Sequence, residues 1–210
     1  MWPYDLSTMR QHLVTLDLEG VLTPEIWIAV AERSGIDGLR RTTRDEPDYD
    51  RLMRGRLELL EANGLTMSQI VEVIDSLCVL DGARQFLDEL RRRTQVVILS
   101  DTFEQFAGPF MRQLGMPTIL CHTLVVRDDR IVDYRLRLPD QKKRAVEAFR
   151  ALNYRVVAAG DSYNDAAMLD AADAGVWFRA PAGIREQYPS FPACEGYGQL
   201  LDAIDAALVG

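Results

Sequence analysis

Histidine and cysteine are scarce in this chain, with two and three residues among 210. Cys78, Cys121 and Cys194 are odd in number and lack CxxC spacing. They suit a reducing cytosol better than a disulfide framework. Long apolar runs are missing too. The opening MWPYDLSTMRQ lacks the apolar stretch of a signal peptide, and nothing approaches the length of a membrane span. A soluble, cytoplasmic protein with no membrane partner is expected. Positive charge is short: 24 Lys and Arg stand against 32 Asp and Glu, for a net charge of −8. Nucleic acids and anionic membranes call for basic patches, so neither is expected as a partner. Any phosphate handled here must be met by local cations. Internal repeats, low-complexity tracts and linkers rich in Pro, Gly or Ser are absent as well.

What is present is enough for a core, at 48% hydrophobic and 27% charged residues. The length suits one domain, or one domain with a small insertion. Short apolar, β-branched runs recur at Leu13–Leu16, Val96–Leu99, Thr118–Leu120 and Val156–Ala159, with a fifth at Gly175–Phe178. They show no polar alternation, as expected of strands buried on both faces in a parallel sheet. Helical patterns at Ala83–Arg93, Glu104–Leu114 and Lys143–Leu152 lie between them, and Leu200, Leu201, Ile204 and Leu208 close the chain in the same period. The fold class is therefore α/β with right-handed crossovers. Between Pro24 and Leu80 only helices are expected, at Glu25–Arg33, Tyr49–Ala62 and Ser68–Leu77, the third opened by a capping box at Thr66 and Gln69. That stretch exceeds one crossover and predicts an inserted helical domain at 24–80, with 1–23 and 81–210 forming the core. Leu124–Leu136 reads as a β-hairpin turning at Asp128-Asp129.

Three polar clusters follow these strands: Asp17-Leu18-Glu19 after the first, Ser100-Asp101-Thr102 after the second, and Gly160-Asp161-Ser162-Tyr163-Asn164-Asp165 after the fourth. A parallel sheet gathers its strand C-termini on one edge, where such folds bind ligands. Lys142, in PDQKKR before a helix, is placed to join them. A single Asp after a strand is an ordinary polar loop, but three clusters at one edge are not explained that way. Extended-chain alternation sends Asp17 and Glu19 to one side and Leu18 to the other. Asp17 can attack phosphorus as a carboxylate nucleophile, and Glu19 can act as general acid and then base. Ser100 and Lys142 can hold phosphoryl oxygens. Carboxylates so clustered beside a phosphate need a cation, and Asp17, Asp161 and a backbone carbonyl suit Mg²⁺, with Asp165 orienting that shell or Lys142.

This constellation resembles the haloacid dehalogenase superfamily of phosphotransferases: Asp-x-Asp/Glu, a Ser/Thr after the second strand, a Lys, and GDSxxD, in that order. The likeness covers essentially the whole chain after the first ten or so residues. It implies a Rossmann-like core with helices on both faces and a helical cap of the first cap type. DLEGVLTPEIWIA, TTRDEPDYD, VVILSDTF and AAGDSYND look very like the group combining phosphoserine phosphatase with phosphoserine:homoserine phosphotransferase activity. Two departures from phosphoserine phosphatases at large are Glu19, where Asp is usual, and Asp101-Thr102, where small residues are usual. By resemblance, Glu25 meets a substrate ammonium and Arg56 a carboxylate. The Glu19 backbone carbonyl is expected on the Mg²⁺, and Asp101, Thr102 and Asn164 are expected around the substrate with Ser100 and Lys142, Asn164 otherwise serving to position its loop. The bare residues also allow Glu25 to favour a helix start and Arg56 to sit on a solvated face. Tyr49 and Met53 line the pocket or pack the core, and Tyr163 positions its loop. The resemblance implies a small-molecule substrate and admits a homodimer.

Other readings weigh less. GDS also opens a serine esterase motif, but that chemistry needs a His base. His12 and His122 both precede Ser162, and His122 reads as structural. No Gly-rich loop ends in Gly-Lys-Ser/Thr, which argues against an NTPase. A phosphatase for another small metabolite stays open. So does a non-catalytic phosphate-binding relative, against which the intact Asp17, Glu19, Lys142, Asp161 and Asp165 speak.

Overall fold

The computed structural model describes residues 10–43, 45–46 and 48–209. Its centre is a seven-stranded sheet of order β4-β3-β2-β1-β5-β6-β7. The strands are β1 (Gln11–Leu16), β2 (Gln95–Phe103), β3 (Thr118–Arg127), β4 (Arg130–Arg135), β5 (Tyr154–Gly160), β6 (Ala174–Phe178) and β7 (Ala193–Cys194). All neighbouring pairs are parallel except β3 with β4. From β1 the chain winds outward through β2 and β3, then returns to β5 and winds the other way. The order reverses between β1 and β5, and there a doubly wound sheet opens a crevice.

Strand alternation divides the core into two layers. Val14, Leu16, Val157 and Ala159 face one side, with Phe86 and Leu90 of α4 (Ala83–Arg93), Phe106 and Phe110 of α5 (Glu104–Gln113) and Ile204 of α9 (Tyr197–Val209). Leu13, Val156 and Ala158 face the other, with Val146 of α6 (Gln141–Ala151), Leu169 of α7 (Ala166–Ala171) and Ile184 of α8 (Ala182–Gln187). Both faces are covered, which is why these strands read as unbroken apolar runs. The expected α/β class is observed, helices on both faces included.

Helices α1 (Ile26–Ser34), α2 (Tyr49–Asn63) and α3 (Met67–Asp75) fill the segment between β1 and α4, with a short 3₁₀ turn at Asp37–Arg40. The Leu80 N–H donates to the Leu22 carbonyl at 2.9 Å, so the chain leaves and rejoins the sheet layer at one point. The capping box at Thr66 and Gln69 forms as read from the sequence. Met53, Leu60, Ile70 and Ile74 of the insertion share the cluster of Phe103 and Phe106, so these helices pack directly on the sheet layer.

Three expectations need correction. Ser100-Asp101-Thr102 does not follow β2 but lies inside it, and the register against β3 slips there: Leu99 pairs Leu120, whereas Phe103 pairs His122. Four steps on β2 match two on β3, a bulge that turns this polar segment toward the strand ends. Second, the run at Thr118–Leu120 and the first hairpin arm are one ten-residue strand, β3. The hairpin does turn at Asp128-Asp129, both with positive φ (48° and 59°), as a two-residue connection requires. Third, Lys142 sits in the first turn of α6 rather than before it.

Candidate active site

β1 ends one residue before Asp17, whose N–H still donates to Ala159 of β5 at 3.0 Å. The chain then folds into a tight turn, with the N–H groups of Leu22 and Thr23 both donating to the Leu18 carbonyl. Leu18 is fully buried, while Asp17 and Glu19 face one cavity, as alternation predicts. Gly20 explains itself here. Its φ is +79°, and a Cβ added there would stand 2.4 Å from Oδ2 of Asp161. Gly160 is constrained in the same way, since a Cβ would lie 2.4 Å from the Cβ of Asp165. Both glycines let acidic strand ends crowd together, a role that spacing alone does not reveal.

One cation stands at the centre. Lys142 Nζ lies 2.9 Å from Asp17 Oδ1, 2.8 Å from Asp165 Oδ1 and 3.9 Å from Asp101 Oδ2. Lys142, Asp17 and Asp165 are all buried. Burial disfavours the lysine charge, but these carboxylates outweigh it and hold its pKa well above the ordinary value. Asp165 Oδ2 accepts the N–H groups of Asp161 (3.0 Å) and Ser162 (3.1 Å). Asp165 thus orients Lys142 and the loop carrying Asp161. Asp17, Asp161 and Asp165 present carboxylate oxygens within 4.8 Å of one another. Burial first, then Asp165 and Asp161, push the Asp17 carboxyl up despite Lys142. Asp17 and Asp165 share the Lys142 ammonium with Asp101, Asp161 adjoins them, and all these donors are hard oxygens. The donor set fits a divalent cation such as Mg²⁺.

Glu19 has a different setting. Its Oε2 accepts the N–H of Ile26, the first residue of α1, at 2.8 Å. Burial, reinforced by Glu25, pushes its pKa up to about 7 against the pull of Ile26, Arg56 and Thr102. Glu25 is the N-cap residue of α1 but makes no cap hydrogen bond through its side chain, and it lines the same cavity.

Arg56, on α2, is buried rather than solvated. Its guanidinium stacks 4.7 Å over the Trp27 ring, and Nη2 donates to the Arg41 carbonyl at 2.8 Å. Nε is buried without a hydrogen-bond partner. Burial lowers its pKa to about 10, with Tyr49, Glu19 and Glu25 resisting. Trp27, Thr42 and Thr43 also line the cavity, though no local pattern marks them individually as site residues. Tyr49 lines it as well and donates through its hydroxyl to the Asp101 carbonyl at 2.8 Å, whereas Met53 is core. Arg44 and Pro47, within TTRDEPDYD, lie outside the described residues.

The cavity of about 70 Å³ brings together Asp17, Glu19, Glu25, Arg56, Ser100, Asp101, Thr102, Lys142 and Asn164. Asp161 lies beside it through its cluster with Asp17 and Asp165. So small a space suits a compact metabolite. Tyr163 is exposed on the adjoining loop, and His122 is buried, accepting the Arg137 N–H at 3.1 Å. Cys78, Cys121 and Cys194 are all free thiols. Among the described residues no helix is long and apolar enough to cross a membrane.

The chain is similar to known proteins along most of its length. Phosphoserine phosphatase ThrH of Pseudomonas aeruginosa is 57% identical over 190 residues, covering 90% of this chain and 93% of that protein. A phosphoserine phosphatase of Pseudomonas syringae is 55% identical over 190 residues, covering 90% and 80%. Among solved structures, a substrate-bound phosphoserine phosphatase complex superposes with a TM-score of 0.75 at 19% identity, covering 90% of this chain and 95% of that one. A phospho-aspartyl intermediate analogue of phosphoserine phosphatase gives 0.73 at 19%, covering 89% and 93%. At that identity the two structures speak to fold alone. The haloacid dehalogenase-like hydrolase profile matches residues 12–173, and with these relatives it places the chain in the haloacid dehalogenase-like hydrolase family.

Proposed function

We propose that this chain is a Mg²⁺-dependent phosphoserine phosphatase working through an aspartyl-phosphate. The observation that carries the substrate is Arg56: a buried guanidinium with an unpartnered Nε, facing a cavity that also holds Glu25 and the Asp17–Lys142 pair. A cation for a carboxylate, an anion for an ammonium and a phosphoryl site in one small cavity describe a phosphorylated amino acid. The relatives' names point the same way.

Arg56 holds the substrate carboxylate and Glu25 the ammonium, while Ser100 and Lys142 bind phosphoryl oxygens. A carboxylate oxygen of Asp17 attacks phosphorus as the bond to the serine oxygen breaks, and protonated Glu19 gives its proton to that oxygen. Serine leaves. Glu19, now a carboxylate, takes a proton from water. The resulting hydroxide attacks phosphorus and the Asp17–phosphorus bond breaks, releasing inorganic phosphate. Asp17, Asp161 and the Glu19 backbone carbonyl would hold Mg²⁺, with Asp165 orienting that set. When bound, the ion supplies positive charge against the phosphoryl oxygens. Residues 24–80 act as a cap that opens to admit substrate and closes to exclude water. Free thiols and a small charged substrate suit the cytoplasm.

Homoserine has the ammonium, carboxylate and hydroxyl of serine with one more methylene, and Glu19 can deprotonate an alcohol as it does water. Transfer to homoserine is therefore part of this reading. The test is phosphorus NMR of enzyme, Mg²⁺ and phosphoserine with excess homoserine. Inorganic phosphate and O-phosphohomoserine are expected together. Inorganic phosphate alone would remove the transferase half, and no phosphate at all would remove the substrate assignment.

A further inference from the structure

The Asp101 carboxylate stands on the cavity wall but is engaged by the protein. Its Oδ1 accepts from Gln141 Nε2 at 3.1 Å and lies 3.5 Å from His122 Nε2. Its Oδ2 accepts from Asn164 Nδ2 at 2.9 Å and lies 3.9 Å from Lys142 Nζ. His122 Nδ1 accepts the Arg137 N–H, so the ring proton sits on Nε2, toward Asp101. All four neighbours are donors. Burial works against the charge, but Lys142, His122, Asn164 and Gln141 together keep this carboxyl well below the usual carboxylate range.

Three of the four donors lead back to the phosphoryl site. Gln141 Nε2 also donates to the Ser100 carbonyl, fixing the bulged segment of β2. Lys142 meets Asp17 and Asp165. Asn164 Oδ1 accepts the Ser162 hydroxyl, next to Asp161. From α2, Tyr49 reaches the Asp101 carbonyl. Asp101 is where β2, β3, α6, the loop after β5 and the helical insertion meet.

We propose that Asp101 is a positioning residue: its carboxylate holds Ser100, Lys142 and Asn164 in place for phosphoryl transfer and does not bind the amino-acid part of the substrate. This rests on the phosphatase reading above. The rival role, a second anion for the ammonium, makes a different forecast. Asp101→Asn keeps the shape but offers an NH₂ group to a ring of donors. Turnover of phosphoserine and of p-nitrophenyl phosphate, which has no amino-acid part, should fall together by about 10- to 100-fold. The KM for phosphoserine should stay within about threefold. The exchange Asp101→Asn with Asn164→Asp restores a donor–acceptor match between the two positions and should recover most of the loss on both esters.

A loss confined to phosphoserine with a raised KM would overturn the proposal in favour of ammonium binding, and unchanged turnover on both esters would overturn it outright. Failure of a folded exchange variant to recover also counts against it. If Asp101→Asn does not fold, Asn164→Ala removes one of the four donors, and equal losses on the two esters are again expected. A loss on phosphoserine alone overturns the proposal there too. Wild type that cleaves the aryl ester but not phosphoserine would sink the substrate reading alone, and the Asp101 comparison is then decided on the aryl ester.

Discussion

Replacing Arg56 by alanine separates recognition from chemistry. The guanidinium is buried and stays charged near neutral pH, since its pKa falls only to about 10. Its fixed contacts are the Arg41 carbonyl and the Trp27 face, with Met53 Sδ at 3.5 Å. None of these neutralises a charge. A substrate carboxylate would, and truncating one partner of a buried, hydrogen-bonded charge pair costs about 2–5 kcal/mol. At about 1.4 kcal/mol per decade that is roughly 30- to 4,000-fold in kcat/KM for phosphoserine. p-Nitrophenyl phosphate has no carboxylate and should change by no more than a few-fold. Stability responds to opposed effects. Losing the stack on Trp27 costs about 0.5–2 kcal/mol, while removing a buried cation that no carboxylate hydrogen-bonds gives some back. The melting temperature should therefore move little. Arg56→Lys keeps the charge without the fork and should fall between wild type and alanine on phosphoserine. The assay is phosphate release on both esters at saturating Mg²⁺. Equal losses on the two esters would refute carboxylate binding and leave Arg56 a support for the fold.

How much of this could be read from the chain depends on whether the signal was local. Asp17, Glu19 and Asp161 were legible because each ends or follows an apolar strand run, and a parallel sheet must bring such ends together. The need for Gly20 is not legible in the chain, since its reason is a carboxylate 141 positions away that only the β1–β5 pairing brings near. Ser100-Asp101-Thr102 looked like a loop because polar residues interrupt an apolar run, yet the bulge against β3 keeps it in the strand. The merging of Thr118–Leu120 with the hairpin was hidden by Cys121-His122-Thr123, where His122 is buried by its bonds and not by hydropathy. Trp27 gave no cue, as its partner Arg56 is on another helix. The six residues of α8 and two of β7 are too short for any period to show.

Three further outcomes are expected. Asp17→Asn keeps the shape but removes the nucleophilic charge, so turnover should fall by about three orders of magnitude or more, and fluoroberyllate with Mg²⁺ should bind wild type only; near-normal hydrolysis would end the covalent mechanism. Glu19, with a pKa raised to about 7, keeps its proton in the folded protein between about pH 4.5 and 7 while the unfolded chain has lost its own, so it makes metal-free stability fall as pH rises through that window and level off above it. Glu19→Gln should flatten that part of the profile in denaturant titrations, and an unaltered slope would show that the group is not perturbed. Gly20→Ala meets two obstacles: an αL backbone, costing about 1–2 kcal/mol for a residue with a Cβ, and Asp161, all three of whose carboxyl atoms lie within 2.7 Å of the added carbon. The backbone cost lowers stability whatever the ligand, but the displaced carboxylate belongs to the set that would hold Mg²⁺. Calorimetric titration of Mg²⁺ into folded Gly20→Ala should therefore show at least a tenfold weaker affinity. Unchanged Mg²⁺ binding would mean that Asp161 is not a ligand, and that the crowding at Gly20 serves only the packing of the strand ends.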